Sequence, residues 1–141
     1  KMEGHIMKIL VIDGQGGRLG PQIIEGLKPY TADHELIAVG TNALATSAML
    51  KAGAVLAATG ENAVCVNATD ADLIIGPIGI LAADSLLGEV TPRMAYHVGR
   101  SRAHQLLIPV NRCNHEIIGV ANCTMSELVS QTIQRARQLL Q

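Results

Sequence analysis

A chain of 141 residues with a net charge of −1 carries no polyanion-binding signature. Two tyrosines, with no phenylalanine or tryptophan, leave almost nothing on which bases could stack, so no nucleic-acid partner is expected. Apolar residues make up 48% and mean hydropathy is +0.28. That fits one domain around a parallel sheet buried on both faces, with a homo-oligomeric interface as a further sink for apolar surface. No apolar run is long enough to span a membrane, so no membrane partner is expected.

Lys1 to Ile6 read as an expression-tag remnant ahead of a natural start at Met7, which gives a single domain over 7–141. Three scattered cysteines point to reduced thiols and a cytoplasmic setting. Met7 to Asp13 is the first strand, rich in Ile, Val and Leu, and it breaks into Gly14-Gln15-Gly16-Gly17-Arg18-Leu19-Gly20. The helix that follows starts near Arg18 or Leu19, because Pro21 fits only a first turn. Ile23, Ile24 and Leu27 form its apolar face, and Lys28-Pro29 ends it.

Glu35 to Val39 is the second strand, closing at Gly40-Thr41-Asn42. Residues 43–52 then form a helix of small side chains stopped by Gly53. Ala54 to Asn62 is ambiguous, and Ala63 to Val66, with Cys65 in the core, reads as a short third strand. Asp72 to Ile75 is the fourth, breaking at Gly76-Pro77-Ile78-Gly79, with a helix expected through Leu86 or Leu87. Thr91-Pro92 caps a helix to about Arg100, and Gln105 to Val110 is the fifth strand. Asn111 to Asn114 turns the chain into His115 to Val120, expected as an antiparallel partner. Thr124 and Glu127 have capping-box spacing ahead of a final amphipathic helix. The fold class is α/β: three layers, Rossmann-like, with a mostly parallel sheet of about five strands and an antiparallel edge strand.

Ligands of such sheets sit beyond the carboxyl ends of the strands, where strand order reverses. The segments expected there are glycine or small polar residues: Asp13, Gly14, Gln15, Gly16, Gly17 and Gly20; Thr41 and Asn42; Gly76 and Gly79; and Asn111 and Asn114. Gly60-Glu61-Asn62 is a further candidate. Backbone N–H groups of a glycine loop before a helix make a phosphate cradle, so the expected ligand bears a phosphate, and a nucleotide or dinucleotide cofactor is the leading form. Gly14, Gly17 and Gly20 have G-x-x-G-x-x-G spacing, whereas Leu19 stands where G-x-G-x-x-G needs its third glycine. The second strand lacks the terminal acid that takes ribose hydroxyls in dinucleotide sites.

A tight turn packing helix on strand explains the same glycines without any ligand. Asp13 has two readings, facing a metal, ribose or amine, or bracing the turn through an Asx-type bond. Asp84 and Glu89 are candidate acids or bases, although solvated helix positions are the favoured explanation for both. Cys113, beside Arg112 and two residues from His115, is the candidate nucleophile or redox thiol. A metal site or disulfide joining Cys113 to Cys123 is disfavoured, because a strand over 115–120 would part them by roughly 20 Å; no metal is expected. Arg93, Arg100, Arg102 and Arg112 lie in a stretch without Asp or Glu, either an anion-steering surface or a solvated face.

The strings KILVIDGQGG-x-x-G, VGTNA-x-ATSAMLKAGA, ATGENA, IIGPIGI-x-x-ADSLLGE-x-TP and IPVN-x-CN resemble an uncharacterised family of short bacterial proteins, over nearly all of Met7 to Leu128. The resemblance implies a Rossmann-like fold and no assigned activity. The functional expectation is binding of a phosphate-bearing small molecule. The alternatives are a small enzyme using Cys113 and a non-catalytic regulatory or assembly subunit.

Overall fold

The computed structural model describes residues 4–110 and 114–141. The sheet contains β1 (Lys8–Asp13), β2 (Glu35–Gly40), β3 (Leu56–Thr59), β4 (Leu73–Pro77) and β5 (His104–Ile108), in the spatial order β3-β2-β1-β4-β5. All four pairings are parallel. The helices are α1 (Leu19–Leu27), α2 (Ala43–Lys51), α3 (Glu61–Asp70), α4 (Pro92–Arg100) and α5 (Met125–Leu140).

β1 is central because its apolar run can be buried on both sides. Ile9 and Val11 join the core beneath α1, α2 and α5, while Leu10 and Ile12 join the core beneath α3 and α4. All four are 0–1% exposed, and side chains of this size contribute about 1.5–3 kcal/mol each when fully buried. The chain leaves β1 towards β2 and, after β3, returns across the sheet to β4 on the other side of β1. The reversal of strand order therefore lies between β1 and β4, and their carboxyl ends, Asp13 and Pro77, open the crevice there.

Three sequence expectations are corrected. Ala63 to Val66 is helical, inside α3, and the third strand lies at Leu56–Thr59. Gly60, with φ +102°, turns the chain out of β3, and Val64, Cys65 and Ala68 then bury one helical face. A four-residue apolar run is too short for its periodicity to separate strand from helix. Cys65 is still a core residue, 2% exposed.

No helix continues from β4 to Leu87. One 3₁₀ turn, Ile78–Leu81, is followed by a tight loop in which Asp84, Leu86, Leu87 and Gly88 have φ of +68°, +55°, +55° and +89°. A right-handed helix cannot hold such residues. The antiparallel edge strand is also absent, since residues 115–120 carry no strand. Ile118 is 86% exposed and Gly119 has φ +88°, so the stretch lacks both the burial and the extended backbone that a paired edge requires.

The helix-start signals act as read. Pro21 sits in the first turn of α1, Asn42 caps α2, and Thr91 with Pro92 starts α4. Thr124 and Glu127 form the reciprocal capping box of α5. No helix among the described residues is long and apolar enough to cross a membrane.

Candidate functional site

The β1–α1 turn is closed by Asp13, whose side chain is buried at the end of β1. Gly14 N–H donates to Asp13 Oδ1 at 2.8 Å and Gly20 N–H to Oδ2 at 2.6 Å. The carboxylate thus ties the start of the turn to the first residues of α1, which is the bracing role. Burial pushes its pKa up, against the N–H groups of Gly20, Gly14 and Leu19, and the Glu89 charge pushes the same way.

Most loop glycines are required by close packing. A Cβ on Gly14 would overlap Thr41 Oγ1 and lie 2.9 Å from Leu86 Cδ1. On Gly17, which has φ +65°, it would lie 2.8 Å from Ala45 Cα, and on Gly20 2.7 Å from Met49 Sδ. A Cβ on Gly76 would lie 2.7 Å from the Ile12 carbonyl oxygen. Gly79 faces Ser85, whose hydroxyl donates to the Gly79 carbonyl. Gly16 differs: it is exposed, and its Cβ would meet only Arg18 Cγ, at 4.0 Å.

A second carboxylate reaches this turn from far along the chain. Glu89 Oε1 accepts from Gln15 N–H at 2.8 Å, Thr41 Oγ1 at 2.7 Å and Asn42 Nδ2 at 3.0 Å. Thr41 and Asn42 follow β2, so the donors come from the ends of two adjacent strands and converge on one oxygen. Asn42 Nδ2 also donates to the Gln15 carbonyl at 2.9 Å, and Asn42 Oδ1 caps α2 by accepting from Ala45 N–H. Burial of Glu89 alone would raise its pKa; the hydrogen bonds from Gln15, Thr41 and Asn42 outweigh it and hold the group below the ordinary glutamate range.

The loop carrying Glu89 also fills the crevice. Leu86 is 2% exposed, and a Cβ on Gly14 would lie 2.9 Å from its Cδ1 and one on Gly79 3.8 Å from its Cδ2. Asp84 N–H donates to the Val90 carbonyl and Val90 N–H to that of Ser85, so residues 84–90 close on themselves. Asp84 and Glu89 are accordingly not positions of a solvated helix. Sequence reasoning assigned Glu89 no place at the glycine turn, because its partners lie 47 to 74 residues away and no local spacing encodes them.

Asp13, Gly14, Gln15, Gly17, Gly20, Thr41 and Asn42 are thus brought together, with Gly76 and Gly79 on the far wall of the crevice. Gly60 lies at the end of β3, where its N–H donates to the Gly40 carbonyl. Asn114 is exposed in a turn, and no hydrogen bond joins it to the glycine loop. Asn111, Arg112 and Cys113 lie outside the described residues, and the strand that was to separate Cys113 from Cys123 does not exist. Arg93 pairs with Glu61 at 3.8 Å, and Arg100 packs on Tyr96 along α4.

A cavity of about 1130 Å³ lies elsewhere, lined in part by His34, Glu35, Leu36 and Val55 at the amino-terminal edge of β2 and β3. That is the edge opposite the Asp13 turn, and no group of three or more potential metal ligands forms among the described residues.

Fold and crevice together define a doubly wound, parallel α/β protein of Rossmann type. Within that class, the chain belongs to the family described as Domain of unknown function (DUF3842), which matches residues 8–141. No curated protein matches the sequence. Among solved structures, the chain is similar to a dodecameric FMN-dependent UbiX-like decarboxylase from Escherichia coli O157:H7. Identity is 17%, the match covers 90% of this chain and 75% of that one, and the TM-score is 0.44.

Two outcomes test this geometry. Gly17→Ala should lower unfolding free energy in urea by about 1–3 kcal/mol, since it adds left-handed strain to a backbone clash, whereas Gly16→Ala should change it by less than about 0.5 kcal/mol. Glu89 should also make stability depend on pH. Its folded pKa lies below the unfolded one, so the stabilisation is complete above the ordinary value of 4.5 and is lost as pH falls through the depressed value. Asp13, with a raised pKa, acts with the opposite sign as pH climbs above 3.8. The stability difference between wild type and Glu89→Gln, followed by denaturation from pH 7 downwards, should therefore shrink only below 4.5.

Proposed function

We propose that this protein binds a phosphate-bearing small molecule, with a nucleotide as the favoured form, at the carboxyl ends of β1 and β2. The observation that carries the reading is the convergence of Gln15 N–H, Thr41 Oγ1 and Asn42 Nδ2 on one negatively charged oxygen. Three donors from two strand ends form an anion seat whose geometry exists before any ligand arrives. The Arg18 guanidinium, exposed at the N-cap of α1, makes no ion pair among the described residues and supplies a cation at the rim.

Thermal-shift titration with inorganic phosphate, mononucleotides and dinucleotides tests the reading. A ligand at about 100 times its Kd adds ~2.7 kcal/mol, on the order of 8–10 °C for a chain of this size. Gly16→Asp, which places a carboxylate at an open position of the loop, should abolish the shift without unfolding the protein. No shift with any of these ligands would sink the proposal.

Self-association is a second reading, favoured by apolar side chains at one edge of the sheet. Leu44 and Leu50 on α2, and Val55 and Leu56 beside or within edge strand β3, are 75%, 46%, 85% and 47% exposed. Light scattering should report a dimer or larger species that Val55→Lys shifts towards monomer; a monomeric wild type at high concentration would remove this reading.

A further inference from the structure

We infer that Glu89 is a built-in competitor for the anion seat, a side chain that occupies the place of the ligand's negatively charged group until that group displaces it. The inference rests on the anion-binding reading above and adds which residue sets the seat's affinity and selectivity.

Several observations lead there together. Glu89 Oε1 holds all three converging donors, while Asp13 takes the N–H groups of Gly14 and Gly20 and the Gly14 carbonyl takes that of Gly17. An incoming anion thus finds the seat already filled. Glu89 is half-buried, so its carboxylate can leave for solvent by side-chain rotation while Leu86 stays anchored in the core.

The backbone that delivers Glu89 is costly to maintain. Asp84, Leu86 and Leu87 all have positive φ, and Leu87 is 95% exposed, so burial of its own side chain does not explain its conformation. The curl buries Leu86 and directs Glu89 to the turn.

Displacement exchanges one anion for another on the same donors, so weak or neutral ligands are rejected. A group with more charge and more acceptor oxygens than a carboxylate, such as a phosphate, has the advantage. The Glu89 charge raises the Asp13 pKa, and a ligand anion that takes the place of Glu89 meets the same nearby carboxyl group.

Calorimetric titration with inorganic phosphate and with AMP, on wild type, Glu89→Gln and Glu89→Ala, tests the inference. Both variants should bind at least tenfold more tightly than wild type, Glu89→Ala the more so, because the apparent affinity of wild type is scaled down to the fraction of molecules in which the seat is open. Glu89→Gln keeps the side-chain shape and preserves the test if Glu89→Ala does not fold. Equal or weaker binding by the variants, with wild type still binding, would overturn the inference and leave the anion seat standing. Failure of all three proteins to bind either probe would overturn the underlying reading and the inference with it.

Discussion

A buried carboxylate at the end of the central strand holds a crowded turn together. Asp13 ties the start of the β1–α1 turn to the amino end of α1. That lets α1 begin immediately beside the sheet, with Gly17 pressed on Ala45 of α2 and Gly20 on Met49. Had the turn been looser, the N–H of Gln15 would not share one point with Thr41 and Asn42. The position of α2, the exit from β2 and the convergence of donors on Glu89 all follow from this closure.

The same turn shows how one motif admits two readings. Glycines before a helix are commonly read as room for a phosphate, yet here Gly14, Gly17 and Gly20 make room for Thr41, Ala45 and Met49. Packing alone accounts for their presence. The case for a ligand rests on the donors that the packing leaves converged, and on Glu89, which shows that those donors hold a negative charge.

Much of the architecture was legible in the chain. Continuous apolar runs at β1, β2 and β4 announced a sheet covered on both faces, and Asn42, Thr91 with Pro92, and Thr124 with Glu127 marked helix starts by local hydrogen bonding. Three segments misled for identifiable reasons. Ala63–Val66 is short and apolar, and only burial of Val64, Cys65 and Ala68 on one face selects the helix. Residues 82–88 have helical composition, but the burial of Leu86 imposes a left-handed curl. Residues 115–120, read as an antiparallel partner strand, carry no strand.

Local chemistry, then, determined where this chain has strands, caps and turns, because propensity and capping depend on neighbours a few residues apart. It also determined that Asp13, the glycine turn, Thr41 and Asn42 would meet, since a right-handed parallel crossover leaves adjacent strand ends together. Only the tertiary structure decided what fills the space between them. Glu89 is 74 residues from Gln15 and 48 from Thr41. Its arrival depends on Leu86 finding the core beside Gly14 and Gly79, a long-range packing choice that no sequence window contains.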